Sequence, residues 1–179
     1  MAEQFSNKLA RAVGVVTTSS AGSIGALSNT ITGISTGGVA AGDLVENTHH
    51  IAGTKVITVG VGQVTVDRTS TNTASATSQT VKFLTPTDVY TSPSATKSIL
   101  IGGTFANNTN NQVSLTVLVN DNSAGVDAQI ASKIPVPAGS SFVISDAGKT
   151  VLEGDDKIKV FCDTTNGVDV NLSILTGVN

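Results

Sequence analysis

Apolar residues recur at every second position through much of the C-terminal half of the chain. Val113, Leu115, Val117 and Val119 alternate with Gln112, Ser114, Thr116 and Leu118, and Val168, Val170, Leu172 and Ile174 alternate with Asp169, Asn171 and Ser173. Successive side chains of a strand point to opposite faces, so this period of two predicts half-buried strands. The stretch from Ser98 to Asn107 opens the series, and shorter strands are expected over 128–134, 142–144, 151–152 and 158–162. Between them, 107–111, 120–123, 137–139, 146–148, 154–156 and 164–167 are rich in Asn, Asp, Gly and Pro, the residues that mimic or permit chain reversals. Roughly seven short strands at 8–12-residue spacing predict an antiparallel β-sandwich or jelly-roll-like domain.

The N-terminal pattern differs. Phe5, Leu9, Ala12 and Val13 fall on one face of a helical wheel and Glu3, Gln4, Asn7, Lys8 and Arg11 on the other, with Gly14 placed to end it. This predicts a short amphipathic helix over 3–13. At about three turns it needs a surface to pack on: its own sheet, or a groove between neighbouring subunits. Phe5, Leu9 and Val13 are the residues expected at such an interface. Residues 15–25 read as a Ser/Thr/Gly connector. From 26 to 87 a second β unit is expected, with strands over 30–34, 43–46, 55–59, 63–67 and 79–84, the third and fourth forming a hairpin through Gly60-Val61-Gly62. Residues 69–78 are too polar for a core and predict an exposed loop. The expected organisation is a docking helix at 1–14, an inserted β-rich lobe at 15–87 and the main sandwich at 88–179.

Only 13% of the 179 residues are charged, and Thr, Ser, Asn and Gly stand where Lys and Glu usually do. Such a surface suits either an extracellular β-protein or a subunit whose outside is largely covered by neighbours. A net charge of −3 supplies no basic footprint for nucleic acid. With 3% aromatic residues and no Trp there is no stacking platform for bases, and few rings for sugars. No apolar run approaches a membrane span, and the N-terminus lacks the apolar core of a secretory signal. Cys162 is alone, in phase with Ile158 and Val160, and reads as a small core residue.

The candidates for chemistry fall short of a site. His49 and His50 are adjacent, so their rings diverge and do not readily chelate one ion. Glu153, Asp155 and Asp156, and likewise Asn120-Asp121-Asn122, offer oxygen ligands without a calcium-loop pattern and read as solvated turns. Gly37-Gly38 and Gly60-Val61-Gly62 precede no helix that could hold a phosphate. The serines lack a nucleophile elbow. Asn107-Asn108-Thr109 and Asn171-Leu172-Ser173 match the glycosylation pattern by coincidence of composition. Neither an enzyme nor a cofactor is expected.

The order of several segments resembles a known family. The opening Phe5-Ser6-Asn7-Lys8-Leu9-Ala10-Arg11-Ala12-Val13-Gly14, then Val89-Tyr90-Thr91-Ser92-Pro93, then Ile99-Leu100-Ile101-Gly102 with Ala106-Asn107, resembles small virion structural proteins of tailed bacteriophages, of the marine and cyanobacterial type. The likeness continues through Ile134-Pro135-Val136-Pro137-Ala138-Gly139-Ser140, Val151-Leu152-Glu153-Gly154-Asp155 and Ile174-Leu175. In shorter relatives the position of Gly14 leads almost directly to the Tyr-Thr-x-Pro segment, so 15–87 looks like an insertion. Its Asn29-Thr30-Ile31-Thr32-Gly33-Ile34-Ser35-Thr36, Gly42-Asp43-Leu44-Val45 and Ala52-Gly53-Thr54 are similar to Thr/Gly-rich β modules of phage tail and fibre proteins. The resemblance implies a particle component, a capsid decoration or a neck or tail subunit, found in the virion and assembled in the host cytoplasm. Its partners would be other virion proteins and copies of itself. The alternative from another class is a host-recognition or carbohydrate-binding sandwich with a glycan at its loops.

Overall fold

The computed structural model describes residues 3–145 and 149–178, and the turn expected at Asp146-Ala147-Gly148 lies outside them. Among the described residues there are fifteen strands and no helix. They form two compact units, one built from 1–14 and 87–179 and the other from 15–86.

The first unit holds two antiparallel sheets. One runs β1 (Gln4–Val13), β15 (Val168–Val178), β9 (Lys97–Asn107), β12 (Ser141–Ile144), with β13 (Thr150–Leu152) pairing a different stretch of β9. The other runs β11 (Val126–Val136), β10 (Val113–Asp121), β14 (Lys157–Cys162), β8 (Thr87–Thr91). Leu100, Phe105, Leu172 and Ile174 of the first sheet and Leu115, Val117, Ile158 and Val160 of the second belong to one buried cluster. Two sheets closing on one core make a β-sandwich. Cys162 is fully buried in that cluster.

The expected N-terminal helix is corrected to strand β1, which pairs antiparallel with β15 from Gln4↔Thr176 to Ala10↔Val170. The spacing misleads because residues four apart share a face in both structures: Phe5 and Leu9 align on a helix and on a strand. A three-turn helix is marginal by itself, whereas β15 offers a full row of backbone partners. The strand also seats Val13, 2% exposed, in the sandwich core. It ends at a bulge where Ala12 takes φ 57° and its N–H donates to Asp169 Oδ1 at 2.8 Å.

The second unit is one antiparallel sheet in the order β4 (Leu44–Glu46), β7 (Ala76–Thr85), β2 (Val15–Ile24), β3 (Thr30–Thr32), β6 (Gln63–Val66), β5 (Val56–Gly60). The sheet curls until its edges meet. Leu44 bridges to Lys55, Val45 N–H donates to Thr54 O at 2.8 Å, and Val56 N–H donates to Asp43 O at 2.9 Å. The result is a closed six-stranded barrel around Ile24, Ile31, Val64, Val81 and Phe83. Its first and last strands are neighbours, with Val15 opposite Thr85. The connector expected at 15–25 is therefore strand β2, whose buried positions before Ile24 are the small Ser19 and Gly22. A Cβ on Gly22 would lie 2.8 Å from Val81 Cγ2, so the barrel demands glycine where a strand pattern would show an apolar residue. The expected exposed loop at 69–78 is irregular over 69–75 and exposed at most positions, with two departures. Ser70 is buried, donating to Gly25 O at 2.9 Å and accepting from Ser28 N–H at 3.0 Å, and β7 begins at Ala76.

Candidate interaction face

Directly opposed residues of antiparallel strands point the same way, so the register shows what the sandwich turns outward. Phe5 lies opposite Leu175, Leu175 opposite Ile99, and Ile99 opposite Val151, an apolar row crossing four strands of one sheet. Phe5 is 60% exposed and Val151 55%. Farther along, Leu9, Asn171, Thr104 and Val143 form a second row, and Leu9 is 75% exposed. Between the rows the floor is small and polar: Asn7, Ser173 and Gly102 align, and Ser173 Oγ donates to Asn7 Oδ1 at 3.3 Å. A hollow of about 430 Å³ opens at the Leu9 end, lined by Leu9, Arg11, Thr104, Ala106, Asp169 and Asn171 among others.

Of the three residues expected at an interface, Phe5 and Leu9 share this outer face. Val13 does not, because it is inside the core. Sequence reasoning missed Leu175, Ile99, Val151 and Val143, which join the face only through strand pairing.

Two edges of the sandwich, β1 and β11, are poor docking lines. On β1, Lys8 lies opposite the buried Leu172, so an edge strand carries a charge on its core side. On β11, two register shifts, the left-handed Lys133 (φ 49°) and Pro135 interrupt regular pairing. Both devices discourage strand addition. The barrel's edges close on each other.

The motifs singled out for chemistry serve structure instead. Asp156, expected in a solvated turn, is buried, and its Oδ1 accepts Asn122 N–H while Oδ2 accepts Glu153 N–H, both at 2.9 Å. One carboxylate thus joins the two acidic clusters noted in the sequence. Asp121 caps its own turn: the Ala124 N–H, then the Ser123 hydroxyl, hold its carboxyl below the usual aspartate range. Glu153 pairs with Lys97 at 3.0 Å on the surface. Buried Asn107 donates to Asn111 O at 2.7 Å and Val136 O at 2.9 Å, which leaves its amide no freedom to carry a glycan. Among the described residues no three His, Cys, Asp or Glu side chains gather as a metal site.

No family model, no curated protein and no solved structure matches the chain.

Proposed function

We propose that this chain is an accessory structural protein of a tailed-phage virion, a capsid decoration or a neck or tail component, working by packing against capsid or tail subunits and copies of itself. The sandwich is read as jelly-roll-like. The observation that carries the proposal is the strand order: β1-β15-β9-β12 faces β8-β14-β10-β11, with the first strand of the unit paired to the last. Eight strands in two facing sheets in that order, with β13 as a further pairing on β9, support a jelly-roll reading, an architecture found in viral capsid and lectin domains. Fold alone does not choose between those uses. The outer face does favour packing: it presents an apolar row in register across four strands, beside two edges, β1 and β11, that discourage strand addition. The carbohydrate alternative gains less, since no aromatic ring lines the hollow.

Two measurements test the reading. The chain should copurify with gradient-banded particles of the phage that encodes it, and its absence from them refutes the assignment. Phe5→Asp should leave the free protein's unfolding midpoint nearly unchanged, because Phe5 is already largely exposed. The same change should abolish incorporation, since a carboxylate at a dry contact costs several kcal/mol. Normal incorporation of Phe5→Asp would remove this face from the interface.

A further inference from the structure

The barrel's closing seam is short. Gly42 N–H donates to Val56 O at 2.8 Å, and with the Val45–Thr54 and Val56–Asp43 bonds this is most of what joins β4 to the start of β5. The chain leaves β4 at Glu46 and returns at Thr54, so the loop over 47–53 spans the seam. Asn47 Oδ1 accepts the N–H groups of His49 and His50 at 2.7 and 2.9 Å. Thr71 N–H donates to His49 O at 2.7 Å, Arg68 Nη1 to Ala52 O at 3.0 Å and Thr54 Oγ1 to Ile51 O at 2.8 Å. Beneath this web the His50 ring is 7% exposed. Its Nδ1 meets the Asn47 side-chain amide at 3.0 Å, and its Nε2 is buried with no hydrogen-bond partner.

We infer that His50 is an acid-sensitive latch: when its ring takes a second proton, the loop over 47–53 lifts and the barrel parts along the seam between β4 and β5. A neutral imidazole needs one donor role and one acceptor role, and leaving one nitrogen bare is tolerable. An imidazolium carries two N–H donors and a charge, and at Nε2 it finds no acceptor on the protein. The surrounding charges are mixed. His49, on the same loop, opposes a second positive charge, whereas Asp67, following β6, attracts one. Arg68 is tied to the loop carbonyl, and Asp43, Glu46 and Lys55 sit on the seam strands. Asp43 is fully buried; Oδ2 accepts Ala40 N–H at 2.9 Å while Oδ1 has no partner, so the seam already holds an oxygen that gains when water enters.

Burial, then the neighbouring His49, holds the His50 ring below the ordinary histidine value of 6.5, against the pull of Asp67. The open form, with its ring in water, therefore binds the proton first. The closed seam keeps its full stability above about pH 6.5 and loses it as pH falls toward the depressed value.

Hydrogen exchange on the intact chain tests this. The seam amides of Val45 and Val56, corrected for intrinsic rates, should open several-fold more readily at about pH 5 than at about pH 7.5. Amides of β9 and β15 should not follow. His50→Gln should flatten this dependence, while His49→Gln, which loses a 3.3 Å contact to Gln79 and the charge that opposes a proton on His50, should weaken it without abolishing it. Seam exchange insensitive to pH, or equally sensitive in His50→Gln, overturns the latch. Should His50→Gln fail to fold, the ring's own titration in the native chain decides, and a midpoint at or above 6.5 overturns it too.

Discussion

Gly14→Ala should destabilise the sandwich by about 3 kcal/mol or more, the sum of a strained backbone and an enforced clash. Gly14 sits at φ 123°, where L side chains are rarely found, and a Cβ there would collide with the carbonyl oxygen of Thr164 and approach Cys162 Cβ at 3.0 Å. Its own carbonyl accepts Asn166 N–H at 2.8 Å, so the turn has little room to shift. The readout is specific to one unit. Tyr90 is the only tyrosine, there is no tryptophan, and Tyr90 lies in the sandwich core, its hydroxyl 2.8 Å from Ser98 Oγ. Urea unfolding followed by tyrosine fluorescence therefore reports the sandwich and leaves the barrel silent. A midpoint equal to that of the unsubstituted protein would show that the turn can relax.

Asp156→Ala is expected to cost about 3 kcal/mol by the same assay, because two backbone N–H groups lose a charged acceptor at once. Those groups, on Asn122 and Glu153, belong to separate turns, and Asp156 also accepts Ser92 N–H at 2.8 Å through its backbone carbonyl. Asp156→Asn keeps one oxygen acceptor and should lose about half as much. If Ala and Asn cost the same small amount, water replaces the carboxylate and the clasp is unimportant.

These two residues also show how far the sequence could be read. The alternation around Val113 and Val168 identifies strands because one face of each lies against a core, and the hairpin through Gly60-Val61-Gly62 appears as β5 and β6. Gly14 was legible as a stop but not as the reason for it: the glycine answers a backbone passing close to Thr164, far along the chain, rather than a helix end. Asp156 looked solvated because charge normally goes with water, and only the fold brings Asn122 to it. At 69–78 polarity did indicate the exposure of most positions, but not that Ser70 and Asn72 bond inward to the Gly25 and Ile24 carbonyls. The interaction face was legible only in Phe5 and Leu9. Leu175, Ile99 and Val151 line up with Phe5 through pairings between distant segments, which no local pattern contains.

Because Val15 and Thr85 are cross-strand partners, the barrel leaves the chain almost where it enters. To the host domain, some seventy residues then cost little more chain entropy than a short link, since closure entropy rises only with the logarithm of length. No strand of the barrel pairs with a strand of the sandwich, so outward residues of the barrel can change without any strand of the sandwich needing a new partner.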